Sequence, residues 1–230
     1  MWIISIITYY TLTLSVKYII FKKMKLNPTP SYNYKHGREL SIFLSPDLWF
    51  ATRFKNAIKY DCAEPTDINL ADFVKKNNTY NLALSLCLAL IAFFSFDILN
   101  HEIVFNFAYS IVAIRFISRS GEIGYAFYRD AIQSTKSFTN LDKYDRIKLA
   151  LKSYVEIYIY SAPVYLLLPN MDTIKAITLS LNVGSLTNVG MAFPEDTSAV
   201  NLTVFIQVFT TLCLVILSLA SYISRPNTNE

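Results

Sequence analysis

The residues whose types and spacing stand out lie near the C-terminal end: Gly184, Ser185, Leu186, Thr187, Asn188, Val189, Gly190, Met191 and Ala192. This small, polar run interrupts two apolar stretches. Non-helical backbone at membrane depth survives only when it is buried in protein or lines water, so the run is suited to shaping a water-filled path. Other chemistry is absent. Cys62, Cys87 and Cys213 are odd in number and scattered, and His36 and His101 stand alone. No disulfide framework or metal spacing follows from them, and no Gly-rich phosphate loop or nucleophile motif accompanies them. The chain is therefore read as no enzyme, with no catalytic residue and no metal.

The elements that position the run extend from Asn170 to Ile223. Asp172 and Thr173 cap an apolar helix, Ile174 to Leu181. The polar run follows and stops at Pro194-Glu195-Asp196, and an apolar span continues from Val200 to Ile223. A half-length helix, a polar turn and a full span predict a re-entrant pore loop and its lining helix. The alternative is a sixth full span over Thr173–Phe193, which Asn182, Ser185, Thr187 and Asn188 make too polar for lipid. On the last span, Thr203, Gln207, Thr210, Thr211, Leu214, Ser218 and Ser221 recur at three- and four-residue steps. Gln207, Thr211, Leu214 and Ser218 are expected to line the path, with Leu214 as an apolar constriction. The alternative is interhelical hydrogen bonding.

Leu186-Thr187-Asn188-Val189-Gly190-Met191-Ala192 resembles the potassium-channel filter pattern Leu-Thr-Thr-Val-Gly-Tyr-Gly-Asp, and Pro194 is similar to the proline that often follows. The segments Ser118–Asp130 and Lys148–Tyr154 resemble stretches preceding the pore in some small bacterial members. The likeness covers roughly the second half of the chain. It implies a filter formed by Thr187, Asn188, Val189, Gly190, Met191 and Ala192, four copies around one axis, and monovalent cations as the permeant species without any cofactor. In that family, carbonyl rings replace the ion's water. Asn188, Met191, Ala192 and Phe193 depart from the pattern's Thr, Tyr, Gly and Asp, so weak discrimination between K⁺ and Na⁺ is expected. Ala192 would resist the positive φ that glycine adopts freely.

At 230 residues, 53% hydrophobic and with mean hydropathy +0.33, the chain reads as an all-α integral membrane protein. Residues 1–21 form a first span or anchor, long enough for a ~30 Å hydrocarbon core. Neither a basic leader nor a small-residue cleavage site is present there. Lys17 is expected to snorkel toward Lys22, Lys23 and Lys25. Residues 22–80 form a basic, aromatic segment with two interfacial helices, one opened by Ser45-Pro46-Asp47 and a short one by Thr66-Asp67. Residues 81–117 form a hairpin of two spans, 118–150 a helical linker, 151–223 the pore domain and 224–230 a tail. The pore domain opens with a fourth span, Leu151 to Leu168, kinked or ended by Pro163 and Pro169. Asp97 and Arg115, near opposite ends of the hairpin, are not expected to pair. Glu156 either faces Arg115 or Arg119 or lies among headgroups.

The segment 22–80 holds ten Lys/Arg and 118–150 holds six, against Lys175 alone on the opposite face. Positive-inside assignment makes the basic segments cytoplasmic and the pore loop external, in five spans. Composition and resemblance together point to a multi-pass protein of the bacterial inner (cytoplasmic) membrane. Function is expected to be cation conduction by a homotetramer. Two alternatives stay open. One is a defence effector pore resembling anti-phage channels of the Hailong type, opened by a nucleotide or oligonucleotide. The other is a non-conducting membrane scaffold. Tyr32, Tyr34, Lys35, His36, Arg38, Trp49, Arg53, Lys55 and Lys59 interleave rings with cations. Membrane lipid or a short single-stranded oligonucleotide would each suit that pattern as partner.

Overall fold

The computed structural model describes residues 2–24, 41–61, 66–99, 102–132, 141–166, 168, 171–192 and 198–215. Every element among them is helical. Helix α1, Trp2–Lys23, carries an almost unbroken apolar sequence and ends on Lys22 and Lys23, cations that suit a helix C-terminus. A single turn, α2 (Ser41–Leu44), leads into α3 (Pro46–Asp61), where Pro46 takes the first helical position that a missing N–H makes harmless. Helix α4, Thr66–Phe94, continues through a π turn at Ser95–Leu99. Helix α5 is Glu102–Ile132, α6 Lys143–Tyr165, α7 Thr173–Gly184 and α8 Ser198–Leu212.

Three expected boundaries disappear, one of them at Leu151, which lies inside the helix that starts at Lys143. The short helix opened by Thr66-Asp67 and the span from Asn81 are one 29-residue helix. The third span likewise runs on past Ile117 for a total of 31 residues. Nothing in either sequence breaks a helix at those points, so the change from polar to apolar marks a change of surroundings and not of backbone. Helix α6 carries Pro163 inside it and ends at Tyr165, three residues short of the expected Leu168.

Among the described residues, three helices are long and apolar enough to cross a membrane: Trp2–Lys23, Thr66–Asp97 and Glu102–Ala126. Their outward faces are apolar, with Ile3, Ile4 and Ile7 on α1, Leu86, Leu90 and Ile91 on α4, and Ile103 on α5 all exposed. These features suit an all-helical membrane protein. The expected fifth span, Val200–Ile223, is described as far as Val215.

Helix directions follow from three packed clusters. Ser161 and the Tyr158 carbonyl meet Ser180, and the Tyr154 hydroxyl meets the Gly184 carbonyl, so α7 runs antiparallel to α6. On α8, Val204 packs with Tyr165, Leu166 and Ala176, whereas Leu214 packs in the cluster of Phe116, Ile123, Ala150 and Ile157. Helix α8 therefore also runs antiparallel to α6. Because α7 and α8 point the same way, α8 begins near the level where α7 began.

A second return lies at the basic end. Asp47 sits beside Tyr9 and Lys17, and Phe54 packs on Phe21, so α3 runs in the same direction as α1. The Tyr10 hydroxyl donates to the Ile42 carbonyl at 2.6 Å. Tyr10 is thirteen residues from Lys23, ~20 Å of helical rise, so α2 begins deep beside α1. The expectation of a helix lying on headgroups is corrected here. Phe50, Ala51, Phe54, Ala57 and Ile58 are buried, and α3 is wedged between α1, α4 and α5.

Candidate functional site

The helices bring six ionisable side chains together that are scattered in sequence. Asp47 opens α3 and is fully buried. Its carboxylate accepts from Lys17 Nζ at 2.9 Å and from Tyr9 at 2.5 Å, and lies 3.6 Å from Arg115. The Ser118 hydroxyl bridges its carboxylate and its backbone N–H, each at 3.3 Å. Arg115 donates to Tyr160, to Thr13 at 3.1 Å and to Asn81 at 2.8 Å. One turn further along α5, Arg119 grips Glu156 through two bonds of 2.8 and 2.7 Å and also donates to Glu122.

The three cations and three carboxylates are all buried. A buried charge survives only when paired and hydrogen-bonded, and each of these is. The cluster ties together α1, α3, α4, α5 and α6. It contains no open carboxylate or imidazole facing a cleft, and among the described residues no group of His, Cys, Asp or Glu could hold a metal. Its chemistry is that of a clamp.

The expected snorkelling of Lys17 is corrected: its ammonium is fully buried and paired with the Asp47 carboxylate at 2.9 Å. Glu156 pairs with Arg119, one of the two alternatives. Asp97 does not meet Arg115 and accepts instead from Thr173 at 2.6 Å. Nothing in the sequence groups Tyr9, Lys17, Asp47 and Asn81 as a site. A lysine inside an apolar run and an aspartate opening an amphipathic helix are the signals it offers, and each has an interfacial explanation.

The second candidate is the α7–α8 return. Asp172 caps α7 by accepting from the Lys175 N–H at 2.8 Å. That bond holds the exposed Asp172 carboxyl below its ordinary range. Helix α7 then runs for 12 residues, ~18 Å, too short for a ~30 Å core. It ends where Gly184 meets Tyr158, whose ring would lie 2.1 Å from any Cβ placed there. The chain then leaves helical geometry through Leu186 (φ 61°) and Asn188 (φ 50°), both in the left-handed region.

Ser185, Thr187 and Asn188 are exposed in the turn, and the Ser185 and Thr187 hydroxyls lie 2.8 Å apart. Val189–Ala192 form a 3₁₀ turn, with Val189 packed against the cluster that holds Val204 and Gly190 exposed. A 3₁₀ turn directs its carbonyls along its own axis, so these residues do not form the column of carbonyls that the filter pattern implies. The left-handed positions fall at Leu186 and Asn188, ahead of the Val-Gly pair.

The polar face of α8 is buried inside the subunit. Gln207 is fully buried, accepts from the Tyr165 hydroxyl at 2.6 Å and donates to the Ser180 carbonyl at 2.9 Å. Thr211 and Leu214 are buried as well. The expectation that these three line a water path is corrected: hydrogen-bond demand in an apolar setting turns the polar stripe toward α6 and α7. Leu202, Phe205 and Phe209 form the exposed face. Ser218 lies outside the described residues, as do Tyr34, Lys35, His36 and Arg38. Of the remaining basic and aromatic candidates, Arg53 lies over the Trp49 ring at 5.4 Å and is buried. That ring face is thereby occupied from within the chain. Lys55 is half-buried on the same helix.

No family model, curated protein or solved structure matches this chain.

Proposed function

We propose that the protein conducts monovalent cations across a membrane, through a pore that several copies form with their α7–α8 returns. The observation that carries this reading is the half-length α7, ending in an exposed polar turn before α8 sets out in the same direction. Ser185 and Thr187 bond to each other and to the Asn182 carbonyl, so the turn carries its own hydroxyl partners. The exposed Asn188 amide is the group poorly suited to lipid, where a polar group without a partner costs several kcal/mol, roughly, and water or another copy suits it better. The likeness of Leu186–Ala192 to a potassium-channel filter supports four copies. The 3₁₀ winding of Val189–Ala192 favours weak discrimination between K⁺ and Na⁺, because closely set carbonyl rings are what distinguish the two ions. In this reading the exposed Leu202, Phe205 and Phe209 face the axis or a neighbouring copy, and the buried stripe holds α8 on its own subunit.

The test is purified protein in liposomes under opposed K⁺ and Na⁺ gradients. Cation current is expected, with a reversal potential that tracks neither ion alone. Replacing Thr187 and Asn188 together by alanine should shift that potential. Current no greater than that of empty liposomes overturns the reading.

A further inference from the structure

The deep return at the basic end is independent of the pore reading, and its two ends are held by different forces. At the lower end Phe54 and Ile58 of α3 pack on Phe21 and Phe73, an apolar contact. At the upper end the attachment is polar. Ser45 donates to the Ser118 carbonyl at 2.7 Å, and Asp47 takes Lys17 at 2.9 Å. Beyond them, Phe43 of the single-turn α2 is 79% exposed, and the Tyr10 and Phe50 rings meet edge-on one turn along α3. Arg115 has three neutral partners besides Asp47, namely Thr13, Asn81 and Tyr160. These hold the guanidinium in place whether or not Asp47 is present.

We propose that α2–α3 is a re-entrant latch, hinged on its phenylalanine end, that opens toward the basic face, and that the Asp47 carboxylate is its catch. Closed, it neutralises Lys17 and shields Arg115. Open, it leaves α1 and α5 where they are and admits water to both cations. A wedge that served only to fill space would need no buried ion pair in addition to its apolar packing. Here the polar catch sits at the deeper end, where a lost ion pair frees one end while the other stays docked.

The experiment uses the full chain in proteoliposomes, with Cys62, Cys87 and Cys213 replaced by serine and one cysteine introduced at Ser45. The rate of labelling by a membrane-impermeant maleimide reads latch opening. Asp47→Asn should raise that rate about ten-fold or more, as expected for local opening released from a buried ion pair. Adding Lys17→Met to Asp47→Asn should lower it again, because one stranded cation is gone. Tyr9→Phe, which removes one bond to Asp47 and no charge, should give a smaller rise and serves if Asp47→Asn fails to fold. A cysteine at Ser161, buried between α6 and α7, should keep its slow rate throughout. An unchanged rate at position 45 in Asp47→Asn or in Tyr9→Phe overturns the latch. So does a rise at position 161 in step with it, which means that the whole bundle has loosened.

Discussion

Arg119 and Glu156, thirty-seven residues apart, meet in a two-pronged pair with N–O distances of 2.8 and 2.7 Å inside the bundle. Fork-to-fork geometry of this kind fixes orientation as well as distance, so it sets the rotation of α5 against α6. Glu122, three residues along α5, takes the remaining arm of the same guanidinium.

This sharing ranks the consequences of breaking it. Arg119→Met strands two buried carboxylates and should lower stability by ~3–5 kcal/mol. Glu156→Gln leaves Arg119 with Glu122 and should cost less. Thermal unfolding in detergent of the two variants checks the order, and a larger loss for Glu156→Gln contradicts it.

Gly184 is the last residue of α7, at a position where nothing larger fits. A Cβ there would lie within 2.1 to 2.8 Å of three atoms of the Tyr158 ring, which itself donates to Tyr154 at 2.5 Å. Gly184→Ala must push that ring aside and is expected to cost ~1–3 kcal/mol, as overpacking does. Combining it with Tyr158→Ala should recover part of the loss in the same unfolding measurement. A Gly184→Ala protein as stable as the parent would show that the ring moves freely.

Gln207 satisfies the Tyr165 hydroxyl and the Ser180 carbonyl at once. Gln207→Leu leaves both without that partner and should destabilise by ~1–3 kcal/mol. Cysteines along α8 distinguish its faces. Those at Phe205 and Phe209 should react with small thiol reagents in the assembled protein, and those at Gln207 and Thr211 should not. The reverse pattern would return the polar stripe to the water path.

The start of α7 carries a pH dependence. The Lys175 N–H, donated to Asp172, favours the ionised carboxylate and lowers its pKa from the ordinary 3.8. A lowered value in the folded state means that the cap's contribution is complete above about pH 3.8 and fades as the pH falls through the lowered value. Hydrogen exchange at the Lys175 amide should therefore accelerate only in that acid range. Asp172→Asn, which caps without titrating, should remove the dependence.

The sequence by itself determined the helices and their outward character. Apolar runs of membrane length, lysines closing α1, Asp172 before α7 and the polar break after Gly184 are local signals, and local propensity and hydrogen-bond demand act on them wherever the chain goes. What only the tertiary structure decided is which charges meet and which face of α8 is inside. Lys17, Asp47, Arg115, Arg119 and Glu156 carry no shared spacing, since α1, α3, α5 and α6 each contribute one or two. Each alone reads as an interfacial charge, because a single charged residue near the end of an apolar run has water within reach. Pairing depends on the rotation and depth of helices packed together, and these follow from the Phe54 contacts and the Ser180–Gln207 bonds. The polar stripe of α8 shows the same limit: periodicity reveals that Thr203, Gln207 and Thr211 share a face, but only the neighbouring α6 and α7 determine that this face is buried.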